Sequence, residues 1–208
     1  MGNFPKFLEL IQIVVKPREV IRKIINASSK KYFILLSFLL GMIGLFDLCS
    51  MADLGKNYDV GSILLFSVIF ALPYGFAILS LFSVIVFGIS KIFKGKAGYY
   101  QTRAAIVWAF MPRVLNLLFW GVNIAMLQSM AFQIESPIAM VGPVFYTYQV
   151  TTFLMALVVV WTWVSSLQTL SEVHGFSAWY SLVVVVLSTF VLMGFWILVS
   201  MIANILGA

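Results

Sequence analysis

A chain of 208 residues that is 62% hydrophobic and only 10% charged, with a mean hydropathy of +1.07, is too apolar for an ordinary soluble domain and reads as an integral membrane protein. Thirteen Lys and Arg against seven Asp and Glu give +6, and because the charges flank hydrophobic runs they point to anionic lipid and not to nucleic acid. One cysteine, Cys49, permits no internal disulfide, and a single histidine, His174, gives no cluster for zinc or iron, so no cofactor or metal is expected.

The opening MGNFPKFLEL has no apolar core followed by a small-residue cleavage site, so no removable signal is expected. Lys6 stands where a myristoylation pattern needs Ser or Thr. Phe4, Phe7, Leu8, Ile11, Val14 and Val15 recur at helical steps until Pro17 interrupts them. In a second short stripe Val20, Ile21, Ile24 and Ile25 share one face, with Arg18, Arg22 and Lys23 on the other. Residues 1–31 thus form a cytoplasmic amphipathic helical segment, lying either in the headgroup layer or against the protein's own loops.

Residues 32–208 then hold five hydrophobic crossings, at about 32–51, 63–93, 104–130, 148–170 and 178–203. Asp47 sits near the far end of the first. Pro73 and Gly75 are placed to kink the second, and Pro112 interrupts the third, freeing the carbonyl of Trp108. Ala104, Ala105 and Ala109 would let another helix approach closely. The semi-apolar link 131–147 is expected at the interface or partly re-entrant, and Thr151, Thr152, Thr162, Ser165 and Ser166 are expected to satisfy backbone groups between helices. The expected fold is all-α, a polytopic bundle of five transmembrane helices forming one compact domain.

Seven basic residues precede Tyr32 (Lys6, Lys16, Arg18, Arg22, Lys23, Lys30, Lys31) and four lie in the link after the second crossing (Lys91, Lys94, Lys96, Arg103), whereas the opposite side has only Lys56. The positive-inside tendency therefore places the N-terminus in the cytoplasm and the C-terminus outside.

Arg113 and Asn116 lie deep within the third crossing. Counted from Ala104, Arg113 is roughly 14 Å into a layer about 30 Å thick, where a guanidinium needs a partner. Either Arg113 anchors a substrate or belongs to a relay, or it donates to the Trp108 carbonyl, Asn116 or Asp47; sparse polarity elsewhere in the crossings favours the structural role. Pro73 and Pro112 would line the same candidate polar site. Arg18, Arg22, Lys23, Lys30, Lys31, Lys94, Lys96 and Arg103 form a candidate surface for anionic lipid or a partner. GKAG at Gly95–Gly98 lacks the GxxxxGK[ST] phosphate-loop pattern, so no nucleotide site is expected there. Glu172 and His174, two residues apart in SEVHGFS, are a weak catalytic signal without a nucleophile or metal and read better as a loop bond or helix cap. No catalytic residue is assigned.

Three segments together resemble the YIP family of Ypt/Rab-interacting five-helix membrane proteins: KPREVIRKI before the first crossing, IFKGKAGYYQTRAA leading into a third helix with WAFMP, and LSEVHGFSAWYSL joining the last two crossings. The chain lacks the long polar N-terminal region that the eukaryotic members use for Rab binding, and is more similar to the bacterial branch. That resemblance implies a non-enzymatic scaffold or accessory role in a bacterial inner membrane, with integral membrane proteins as partners, ABC-type exporters among them, and self-association as a further expectation. The rival expectation is a small transporter, channel or lipid-moving protein built around Arg113.

Overall fold

A computed structural model describes residue 12 and residues 16–24, 30–134 and 142–207. The described chain is all-α, with no strand. Its helices are α1 (Pro17–Ile24), α2 (Lys30–Met51), α3 (Val60–Ile92), α4 (Tyr99–Ala109), α5 (Asn116–Leu127), α6 (Pro143–His174) and α7 (Ala178–Gly207), with short 3-10 turns at Leu54–Lys56, Met111–Leu115 and Gln128–Phe132. Five stretches are long and apolar enough to cross a membrane: Tyr32–Met51, Val60–Ile92, Tyr99–Phe132, Pro143–His174 and Ala178–Val199. This is a multi-pass membrane protein.

Several helices outrun their hydrophobic runs. α4 begins at Tyr99 because its first turn is tied off locally: the Gly98 N–H donates to Gln101 Oε1 and the Thr102 hydroxyl reaches Gly98 O. Pro73 stays inside an unbroken α3, whereas Pro112 ends α4 and opens a 3-10 turn in which the Arg113 N–H donates to Phe110 O. α6 opens on Pro143, at a position where a missing N–H costs nothing. Of the semi-apolar link, 135–141 lie outside the described residues.

The chain divides into two compact units, one of residues 1–28, 79–108 and 165–208, the other of 29–78 and 109–164. In the first, Val86, Ile106, Leu170 and Val184 form a buried core that also takes in Val20 and Ile21 of α1. Val20 and Ile21 are thus covered by protein; Phe4, Phe7, Leu8, Ile11, Val14, Val15 and the side chains of Ile24 and Ile25 lie outside the described residues and side chains. In this unit the Ser83, Thr169, Ser171 and Ser188 hydroxyls donate to carbonyls three or four residues back. Thr162, in the second unit, does the same toward Val158 O. These bonds lie within a helix, because a carbonyl one turn back is always in reach.

In the second unit α2 and α3 cross with almost no side chain between them. A Cβ on Gly41 would stand 1.9 Å from the Ala71 carbonyl oxygen, and one on Gly75 would stand 1.9 Å from that of Ser37. Ser37 and Gly41 are four residues apart, as are Ala71 and Gly75, so each helix presents two small residues one turn apart. In the same unit Phe46, Trp120 and Phe132 pack together, Trp120 stacked on Phe132 at 5.4 Å between centroids, and Ile43 is fully buried.

Candidate functional site

The polar cluster of the second unit is built on Arg113. Its Nη2 donates to Asp47 Oδ2 at 2.6 Å, and Trp120 Nε1 donates to Asp47 Oδ1 at 3.1 Å. Of the three partners open to Arg113, the structure selects Asp47. Arg113, in the 3-10 turn, and Trp120, on α5, both donate to the same carboxylate of α2. Asp47 is four residues from the end of α2 at Met51, about 6 Å along the axis. Arg113 thus meets an acid near the end of α2 that leads into residues 52–59. The Arg113 and Asp47 side chains keep 30% and 36% of their exposure, so the pair is open on one side.

Two further polar residues continue this face of α5. Asn116 is buried, and its Oδ1 has no hydrogen-bond partner among the described residues. Asn123 is buried as well and accepts from the Thr151 hydroxyl at 2.7 Å, a threonine bonding across helices. Arg113, Asn116, Trp120 and Asn123 are spaced three, four and three residues apart. Trp120 and Asn123 are the members that the sequence did not single out, and this spacing, with an indole N–H needing an acceptor, is the signal that marks them. Pro112 is buried within its 3-10 turn and Pro73 is exposed on α3; neither donates or accepts in the cluster through a side chain.

The first unit carries the basic surface and the Glu172–His174 segment. Glu172 and His174 turn to different partners. Glu172 Oε1 accepts from Arg22 Nε and Nη2, both at 2.8 Å, while Arg18 reaches the Ser171 hydroxyl at 3.3 Å, so α1 is latched to the end of α6. His174 is buried, with Nε2 3.1 Å from the Thr102 hydroxyl. That hydroxyl also lies 3.1 Å from Gly98 O. His174 Nδ1 has no hydrogen-bond partner among the described residues. Phe176 stacks on the ring at 5.2 Å. A Cβ on Gly95 would stand 2.4 Å from Nδ1, and the Lys96 N–H donates to His174 O. The links 93–98 and 175–177 are thus stapled together through His174, a role for Gly95 and Thr102 that only the folded chain displays.

The basic residues divide by what they touch. Arg18 and Arg22 are held by α6, Lys91 donates to Gly95 O, and Arg103 lies over the rings of Tyr99 and Tyr100. Lys23, Lys94 and Lys96 are exposed, and Lys94 adopts a left-handed backbone at φ 60°. Lys30 and Lys31 open α2, with side chains outside the described set. Among the described residues no group of three His, Cys, Asp or Glu could hold a metal ion.

No curated protein and no solved structure matches this chain. A family model described as the Yip1 domain matches residues 11–201, which takes in α1, all five crossings, the latch on α6 and the His174 staple. The chain belongs to the Yip1 family.

Proposed function

We propose that this protein is a non-enzymatic scaffold or accessory subunit that binds integral membrane partners, ABC-type exporters among them, and holds anionic lipid against its basic cytoplasmic links. The observation that carries this is how little of three crossings the protein itself covers. The most apolar windows of α3, α6 and α7 are 28%, 22% and 17% buried, against 44% for Tyr32–Met51 and for Tyr99–Phe132. Faces of that size meet lipid tails or other helices, and membrane helices associate by close packing. The groups a hydrolase would use are spent elsewhere: Glu172 on Arg22, and His174 on Thr102. In the proposed threading the N-terminus is cytoplasmic and the C-terminus outside a bacterial inner membrane. Purification of the tagged full chain from gently solubilised membranes should bring down exporter subunits or another membrane protein in fixed proportion. Recovery of the isolated monomer, under conditions that keep known complexes whole, overturns the reading.

A second reading, a small transporter or lipid-moving protein, is favoured by one observation: the Arg113–Asp47 pair is partly exposed within a crossing. Its test is movement of solute or labelled lipid in liposomes containing the pure protein; no movement removes it.

A further inference from the structure

We infer that the Arg113–Asp47 pair is a binding site for a zwitterionic phospholipid headgroup bearing a primary ammonium, of the phosphoethanolamine type. The inference rests on the open polar site of the second reading and not on transport. An exposed ion pair has two ends. The Asp47 contact uses Nη2 alone, and a guanidinium carries five N–H donors in a fixed fork, so donors are left for a phosphate oxygen. The carboxylate takes Nη2 of Arg113 on Oδ2 and Nε1 of Trp120 on Oδ1, and with about four lone-pair positions it can accept again from an ammonium. Phosphate to Arg113 and ammonium to Asp47 match the two charges of the headgroup in sign, where an anionic headgroup would oppose Asp47.

Depth agrees with charge. Asp47 lies about 6 Å from the end of α2, which puts the pair near the headgroup boundary on the side of residues 52–59 and within reach of a lipid entering from that leaflet. Trp120, stacked on Phe132 and beside Phe46, holds the carboxylate in place through its N–H and supplies the apolar floor under the pair.

The test uses the full-length protein, stripped of lipid in detergent and offered equal amounts of phosphatidylethanolamine, phosphatidylcholine and phosphatidylglycerol with matched chains, with the bound lipid weighed by native mass spectrometry. Phosphatidylethanolamine should be retained about tenfold over the other two, the scale of one charge-assisted hydrogen bond. Phosphatidylcholine has no N–H to give Asp47, and phosphatidylglycerol has no cation. Asp47→Asn should bring the ratio close to one, as should the neutral pair Asp47→Asn with Arg113→Gln, which keeps a hydrogen-bonding couple in the membrane. Equal retention of the three lipids, a preference for phosphatidylglycerol, or a preference that survives these substitutions overturns the inference. If the variants fail to fold, the three-lipid comparison on the unaltered protein still decides it. Retention without lipid movement in liposomes leaves this site standing and removes only the transporter.

Discussion

Replacing Gly41 by alanine adds one methyl group where the α2–α3 crossing has no room for it. The new Cβ would stand 1.9 Å from Ala71 O, and ordinary contact begins at 3.4 Å, so the two backbones must part by up to 1.5 Å. Neither neighbour is a side chain that can swing aside: the next atom, Gly75 N at 2.8 Å, is backbone too. A gap of 0.5–1 Å already forfeits about a quarter to a half of each dispersion contact across an interface. With overpacking costs of about 1–3 kcal/mol, the upper end applies here, roughly 3 kcal/mol. Alanine's helix preference returns about 1 kcal/mol, leaving a net loss of about 2 kcal/mol, or roughly thirtyfold in the folding equilibrium. Gly88→Ala and Gly121→Ala are the controls, because a Cβ at either meets nothing within 4 Å. Reversible SDS titration of the pure protein reads all three. Gly41→Ala should unfold at a clearly lower SDS fraction than either control, and Gly75→Ala should behave like it. The double substitution should cost less than the sum, since the first methyl opens the space for the second. If Gly41→Ala unfolds together with Gly88→Ala, the helices do not cross at these glycines.

Asp47→Ala and Arg113→Ala should each cost about 1.5–3 kcal/mol by the same titration, the range for hydrogen bonds to charged groups, with a double-mutant coupling above 0.5 kcal/mol. Gly95→Ala drives a methyl to 2.4 Å from His174 Nδ1 and 2.9 Å from Ser90 O, so trypsin should cut after Lys94 and Lys96 faster than in the unaltered chain. Asp53, held below its usual 3.8 by Lys56 and the Ile134 N–H, and Asp59, held below it by Ser62, each contribute stability that is present above 3.8 and lost as pH falls through the lower folded value. NMR shifts of the Ser62 and Ile134 amides should therefore hold steady down to about pH 4 and move only below it. Lys94→Gln with Lys96→Gln should lower the enrichment of phosphatidylglycerol in polymer-extracted discs by up to about thirtyfold, at about 1 kcal/mol per lysine. Enrichment that survives both the substitutions and 1 M salt, where screening acts within about 3 Å, would exclude an electrostatic surface.

The five crossings were legible because a run of about 20 apolar residues has few other uses. Their ends were not, since hydropathy marks where lipid begins and a helix stops where its terminal amides and carbonyls find partners. Tyr99 to Arg103 are helical through Gln101 and Thr102, polar residues that a hydropathy profile assigns to the link. The small-residue pairs at Ser37 and Gly41 and at Ala71 and Gly75 are written in the chain, yet Ala105 and Ala109 have the same spacing. Only the folded backbone tells which pairs meet and where. Arg113 shows the limit from another side: depth counted along its own helix fixes the Cα, while the side chain reaches several ångströms further toward whichever acid the packing offers.

The fate of the acidic residues explains where the net charge of +6 is presented. Each of the five described carboxylates is engaged: Glu19 with Lys16, Asp47 with Arg113, Asp53 with Lys56, Asp59 with the Ser62 N–H and hydroxyl, and Glu172 with Arg22. None of these contacts involves Lys23, Lys94 or Lys96, which are exposed and carry part of the excess positive charge. The two arginines of α1 serve a different end from its lysine: Arg18 and Arg22 latch the helix to α6 and, with Val20 and Ile21 buried beneath, keep it on the protein, while Lys23 faces outward. An amphipathic stripe with basic residues opposite is therefore no sufficient sign of membrane contact in this chain. What separates an exposed cation from a structural one here is whether an acid or a carbonyl elsewhere in the fold has already taken it, and for Arg22 that is settled by Glu172, 150 positions away.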